Sequence, residues 1–454
     1  MLLGLCVRQF SLLQDFRCGL LLSDLKQPDR AVYPLRALTS FIGRNNSGKS
    51  QILDALAFLA DCQRYPLAYA ANLYQRGGFR RLQSFGSSED VCFEVLLLAP
   101  WHDELLSYDL RLAVDSHGRP EVKAERLTAR FLSEEIAAEL RGLGVLDARA
   151  HEVCAEHERG HEKAPAAEEE RCCFTLEQDQ VRLEEGGESQ IQELGDRKRT
   201  FLSSFGRLLH YRRIHACYQA LTGIYCLRPS LDEREARAGT PADEQGEHRH
   251  LNEHATNIRH VLRYLKQEDE ERYRRIQRRI ARRMPRMQHV DDHVLDWSLR
   301  NAETKLYTLL LLLEDPRPRP LILLDNPDTG LHHDMVEELG RALRDYSLLG
   351  ERQVILSTHS SILLEAFCPE EVWTLRRAKP HGVSPGADTA ASAARQEGSR
   401  ASCIAESELV RAMYEEGIGL GALWYSGQLE DGDTDEDDSA SARRRQLEMP
   451  YWEP

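Results

Sequence analysis

The stretch "GRNNSGKS", Gly43 to Ser50, has the residue types and spacing to hold a chain of phosphates. It satisfies the pattern G-x-x-x-x-G-K-[ST] at every position. Glycines at Gly43 and Gly48 let the backbone N–H groups of Arg44, Asn45, Asn46 and Ser47 turn inward around phosphate oxygens. Lys49 reaches the β- and γ-phosphates, and the Ser50 hydroxyl can ligate Mg²⁺. A β-prone run (Ala37–Gly43) precedes the loop. Apolar residues at Ile52, Leu53, Leu56 and Leu59 follow it at helical spacing. A helix starting there adds the positive end of its dipole to the same site.

A metal held against phosphates needs a second protein oxygen. The stretch "LILLDNPDTGLHH", Leu321 to His333, offers Asp325 at the end of four apolar residues. The next residue is Asn326. An amide cannot take a proton from an attacking water near neutral pH, although it can orient one by hydrogen bonding. Asp328, past Pro327, is a second acidic group that either takes part through a water or belongs to the loop that crosses a dimer interface. A third stretch, "VILSTHS", places His359 at the tip of another apolar strand. Asn326, Asp328 and His359 are therefore the candidate catalytic residues, with Ser50 and Asp325 as candidate metal ligands.

The elements that must position these residues follow from periodicity. "PLILLDNP" and "QVILSTHS" read as short buried strands, and "HDMVEELGRALRDYSLL" between them as an amphipathic helix. Strand, helix, strand at that length is a βαβ unit with parallel strands. "DVCFEVLLLA" and "YDLRLAVD" alternate as an antiparallel pair does, with Pro100 and "HDEL" in the turn. From about Ser133 to Thr222 the chain is helix-forming and charge-rich, around a polar middle, "HERGHEKAPAAEEERCC". One long helix is expected from Ile258 to about Met284, ending before Pro285. "AKPHGVSPGADTAASAARQEGSRAS" and the acidic-then-basic "EDGDTDEDDSASARRRQ" are loop or disorder by composition.

The chain has 454 residues, 41% hydrophobic and 29% charged, with net charge −15. Such an acidic protein is no general polyanion binder, so nucleic-acid contact would need a local basic patch. No apolar run is long enough for a transmembrane helix, and the start lacks the features of a secretory signal. Eleven cysteines without a CxxC pair fit a reducing cytoplasm rather than a disulfide scaffold.

The set GRNNSGKS, LILLDNPDTGLHH and VILSTHS resembles the RecF/SMC-like branch of ABC-type ATPases, close to the OLD-type stand-alone AAA family ATPases. "VRQFSLLQDF", "LYQRGGFRRLQSFG", "ATNIRHVLRYLKQEDEERYRRI" and "GIGLGALWYSGQL" are also similar to that family. The resemblance implies an α/β fold of the ABC-type P-loop NTPase kind, a mixed sheet with flanking helices, interrupted by a helical insertion. It divides the chain into an N-terminal core half (1–132), a mostly helical, charge-rich insertion (133–250), a C-terminal core half (251–378) and a loop-rich end (379–454). It implies ATP and Mg²⁺ as cofactors, Asp325 as the Walker B aspartate and His359 as the switch histidine. It further implies a homodimer, a cytoplasmic setting, a possible separate effector and a place in DNA maintenance or phage defence. The family signature, often S-D-G-T, corresponds here to Asn301, Ala302, Glu303 and Thr304, which lack its Ser and Gly. With Asn326 in place of the usual Glu, slow hydrolysis is expected. An ATP-sensing scaffold and a transporter ATPase subunit are the alternatives.

One further feature is a helix with Arg274, Arg278 and Arg282 at i, i+4 spacing beside Arg275, Arg279 and Arg283. It is either a ridge for nucleic acid or an acidic partner, or a solvated face paired with Glu270 and Glu271.

Overall fold

Two sheets pack against the helix that follows the phosphate loop. The computed structural model describes residues 1–26, 32–85, 87, 89–143, 145–146, 170–177, 180–184, 189–193, 195–228, 249–284, 302–350, 352–377 and 399–429. Among these, the first sheet is antiparallel, in the order β2-β1-β4-β5-β6-β7-β8-β9. Its strands are β1 (Leu2–Phe10), β2 (Leu13–Gly19), β4 (Val91–Leu98), β5 (Glu104–Val114), β6 (Pro120–Phe131), β7 (Glu170–Glu177), β8 (Gln180–Leu183) and β9 (Gln190–Glu193).

The second sheet runs β10-β11-β12-β3-β13-β14. It comprises β3 (Leu38–Gly43), β10 (Ile224–Leu227), β11 (Leu321–Asp325), β12 (Gln353–Ser357), β13 (Val372–Arg377) and β14 (Ser399–Cys403). All neighbours are parallel except β14, which runs antiparallel to β13. The parallel strands are buried on both faces, hence their unbroken apolar runs. Phe41, Leu321, Leu323 and Ile355 face helix α1 (Lys49–Arg64) and the antiparallel sheet. Leu38, Ile42, Ile322, Leu324, Val354 and Leu356 face the opposite layer. That layer contains α2 (Ile258–Glu268), α3 (Glu270–Arg283), α4 (Ala302–Leu313) and α5 (His333–Ser347). The expected βαβ unit is β11, α5 and β12, with parallel strands.

Several expectations need correction. The region 133–250 is not mostly helical where it is described: β7, β8 and β9 extend the antiparallel sheet from β6. Phe174, Leu176, Val181 and Leu183 face inward, and Cys173, buried next to Phe174 where the register with β6 shifts, breaks the alternation. Helices occur as well, at Glu134–Gly142, Phe201–Phe205 and Arg212–Thr222. Of the polar middle, 157–173, residues 157–169 lie outside the described residues, as does a loop-like stretch expected at 233–247, whereas Glu170–Cys173 begin β7, with Cys173 buried. Glu104 and Leu105 belong to β5 rather than to the preceding turn, paired with Phe131 and Arg130.

The single helix expected over 258–284 is two. Asp269 has extended backbone, and its side chain accepts from the Arg272 N–H at 2.9 Å, capping α3. Ser399–Cys403, inside a segment read as loop, forms β14. The rest of that segment and the acidic tail lie outside the described residues, as does Pro285. Among the described residues no helix is long and apolar enough to cross a membrane, and no group of His, Cys, Asp and Glu has metal-site geometry.

Candidate nucleotide-binding site

The 43–50 loop joins β3 to α1, as its pattern requires. Gly43 (φ +144°), Asn46 (φ +65°) and Gly48 (φ +106°) take left-handed or otherwise positive-φ backbone. Arg44, Asn45 and Asn46 are exposed, whereas Ser47, Gly48 and Lys49 are buried. A Cβ on Gly43 would lie 2.4 Å from the Leu375 carbonyl oxygen, so neither the φ nor the space admits another residue. Lys49 Nζ donates to the carbonyls of Gly43 (2.8 Å) and Arg44 (2.9 Å), folded back over its own loop. Burial lowers the Lys49 pKa, and the charge of Asp325 opposes that shift.

Across the sheet, the Ser50 hydroxyl donates to Asp325 Oδ1 at 3.0 Å, joining residues 275 positions apart. The parallel register puts Asp325 opposite Ser357 on β12. The Ser357 hydroxyl also donates to Asp325 Oδ1 and accepts from the Asn326 N–H at 3.0 Å. Asn326 Nδ2 donates to the same Oδ1 at 3.0 Å. One carboxylate oxygen thus gathers three donors.

Asn326 has φ +46°. Asparagine tolerates this left-handed geometry better than most residues. Asp328 accepts from the Thr358 hydroxyl at 2.6 Å. Thr358 Oγ1 in turn accepts from the Ser360 N–H at 2.9 Å. His359 sits between these two residues with its ring reaching solvent. Partial desolvation and then the Lys49 charge push its pKa down, against Asp328 and Asp325. Lys49, Asp325, Asp328 and His359 therefore share one electrostatic neighbourhood.

Residues that the motifs do not mark also shape the site. Lys305 on α4 donates to the carbonyl oxygens of Thr329 (2.7 Å) and Asn326 (3.5 Å), tying the start of that helix to the loop after β11. Below the loop, Asp54 on α1 pairs with Arg76 (3.0 Å) and Arg228 (2.6 Å), and Arg76 also holds Asp61 at 2.6 Å. Burial pushes the Asp54 pKa up, but the two guanidinium groups outweigh it and leave the carboxyl below its usual range. Ser357 and Thr358 lie within the stretch that carries His359. Only the strand register reveals what they touch.

Of the signature positions, Asn301 is outside the described residues. Ala302, Glu303 and Thr304 form the first turn of α4, where the helix dipole favours the Glu303 carboxylate. The arginine helix divides in two. Arg274 pairs with Glu270 (2.8 Å), Arg279 with Glu314 (2.9 Å), and Arg283 with Glu338 (2.6 Å) and Asp345. Arg275, Arg278 and Arg282 are exposed, with no acidic partner among the described residues. Ile276, Ile280 and Met284 are buried on the other side.

A glycine-bounded loop, its lysine, and a Ser–Asp pair brought together from two parallel strands have the arrangement of a P-loop nucleotide-binding site on an α/β fold. Residues 225–365 match the family model described as "AAA domain, putative AbiEii toxin, Type IV TA system". That segment, under half of the chain, supplies β11, β12, Asp325, Asn326 and His359.

No curated protein matches the chain. Among solved structures, it is similar to an SMC head bound to the C-winged helix domain of ScpA, at 12% identity and TM-score 0.42, over 89% of this chain and 99% of that one. It is similar to the SMC head domain from Thermotoga maritima at 13% identity and TM-score 0.36, over 83% and 94%. A third is the Smc head domain with an extended coiled coil from Pyrococcus furiosus, bound to the C-terminal domain of ScpA. The values there are 11% and 0.41, over 92% and 99%.

Proposed function

We propose that this protein binds ATP with Mg²⁺, hydrolyses it slowly and uses the nucleotide as a conformational switch. The observation that carries the reading is the Ser50–Asp325 contact beside Lys49. A hydroxyl and a carboxylate oxygen meet where a divalent cation between protein and phosphates needs both. Ser50 and Asp325 would hold Mg²⁺. Lys49 would leave the Gly43 and Arg44 carbonyls for the phosphates, and the loop amides would surround them. Mg²⁺ bound there would neutralise charge on the phosphates. The chain's own residues would orient the water, with Asn326 and Asp328 nearest the metal ligand and His359 beside them. Measuring ATP binding and phosphate release with and without Mg²⁺, for wild type, Lys49→Ala and Asp325→Asn, tests this. Loss of binding in Lys49→Ala and of the Mg²⁺ requirement in Asp325→Asn is expected. Wild-type binding by Lys49→Ala would overturn the reading.

A second reading is an ATP-sensing scaffold without turnover. The engagement of the Asn326 amide with Asp325 favours it, because the asparagine side chain at position 326 cannot accept a proton. It would hold if wild type binds ATP yet releases phosphate no faster than Lys49→Ala.

The wider role we propose is in DNA maintenance or phage defence, as a cytoplasmic homodimer working with a separate effector. The wording of the matched family model, a toxin of a type IV toxin–antitoxin system, supports a paired arrangement. Co-purification with the product of an adjoining gene, dependent on ATP, is the expected outcome; nucleotide-independent failure to associate would count against it.

A further inference from the structure

The phosphate loop is held from a part of the chain that no motif marks. β14 lies at the edge of the parallel sheet. β13 pairs Leu375 with Gly43 at the base of the loop and Arg377 with Ser399 on β14. This ladder delivers Ser399, 2% exposed, against the loop. Its hydroxyl donates to the Ser47 carbonyl oxygen at 2.7 Å, a buried bond spanning 352 positions. The approach is close enough that a Cβ on Gly48 would stand 2.6 Å from Ser399 Oγ.

In a trans peptide unit the C=O and the following N–H point in opposite directions. Anchoring the Ser47 carbonyl on β14 therefore turns the Gly48 N–H away from Ser399. We propose that Ser399 is a positioning residue for phosphate binding, which fixes the Ser47–Gly48 peptide plane so that the Gly48 N–H is presented to the nucleotide's phosphates. This inference rests on the nucleotide-binding reading of the loop. Without the hydroxyl, the peptide can rotate and a preorganised donor is lost, at a cost of about one hydrogen bond.

The test compares the affinities of Mg-ATP and AMP for the full chain, as wild type, Ser399→Ala, Ser399→Cys and Lys49→Ala. AMP lacks the β- and γ-phosphates, to which the Gly48 N–H is proposed to be presented, so a positioning role changes the ATP affinity and leaves that of AMP alone. Ser399→Ala is expected to weaken ATP about five- to tenfold with AMP unchanged. Ser399→Cys keeps nearly the same volume with a weak donor and should do the same, which covers the case in which alanine fails to fold. ATP affinity at the wild-type level in either variant, or equal loss of ATP and AMP, overturns the inference provided that Lys49→Ala has lost ATP. Should Lys49→Ala bind ATP as wild type does, the nucleotide reading falls, and this inference with it.

Discussion

Asn326 donates its side-chain amide to the Asp325 carboxylate at 3.0 Å, on a backbone bent into left-handed geometry. The amide nitrogen of Asn326 is therefore engaged by its neighbour in the chain. Its amide adds to the donors from Ser50 and Ser357 on one oxygen. The same arrangement leaves the site without a base at position 326.

Asn326→Glu should raise phosphate release at least tenfold, since a positioned base contributes about 10²–10⁴-fold. The left-handed backbone is about 1–2 kcal/mol less favourable for glutamate, so the variant should also be slightly less stable. Single-turnover phosphate release measures the first effect and a denaturant midpoint the second. A rate no higher than wild type would mean that position 326 is not the weakened step.

Lys305 should matter for turnover more than for binding. It bonds the Thr329 carbonyl at 2.7 Å and faces Asp328, so Lys305→Met frees the loop carrying Asn326 and Asp328. Expected are a kcat several-fold lower, a KM for ATP near wild type, and a stability loss of about 1–3 kcal/mol. A changed KM with unchanged kcat would contradict this placement.

Far from the site, Glu125 is fully buried on β6. It accepts from the N–H groups of Phe201 (2.6 Å) and Leu202 (2.8 Å) and from the Tyr108 hydroxyl (2.9 Å). Burial, only partly offset by those donors, raises its pKa from 4.5 to about 7. The folded state therefore favours the protonated acid. That contribution is complete below pH 4.5 and is lost as pH rises through about 7, a swing on the order of 3 kcal/mol. Urea midpoints for Glu125→Gln should lack the decline that wild type shows between pH 5 and 8. Parallel profiles would remove Glu125 as its source.

How much of this was legible in the sequence depended on whether neighbours in the chain are neighbours in space. The loop at 43–50, its flanking strand and helix, and the strand ending in Asp325 could be read because each is a contiguous pattern. The register that sets Ser357 beside Asp325, and the ladder that brings Ser399 to Ser47, link residues 32 and 352 positions apart, which no local period encodes. β9 shows the opposite difficulty. All four of its residues are exposed, so its strand state comes from pairing with β8 and carries no apolar alternation. The break at Asp269 was a missed cap signal: an aspartate followed by two glutamates inside an otherwise helical run.

Arg275, Arg278 and Arg282 separate the two readings of the basic helix. Their neighbours Arg274, Arg279 and Arg283 are held by carboxylates, so removing those should reduce stability rather than affinity for a polyanion. Arg275, Arg278 and Arg282 lie at i, i+3 and i+7 on one side of α3, over a helix length that spans a few phosphates. If that side contacts duplex DNA, binding must fall with salt, and each phosphate contact adds about 0.9 to the slope of log K against log salt concentration. Replacing all three by glutamine should then flatten the slope by about 2.7 and weaken binding equally across sequences, because phosphate contacts carry no base readout. Replacing Arg279 by glutamine should leave the slope in place. Fluorescence anisotropy at three or more salt concentrations measures both. Wild-type protein that shows no salt-dependent binding, or a triple variant with an unchanged slope, would make this face of α3 a solvated one, and any contact with nucleic acid would have to lie elsewhere on the chain.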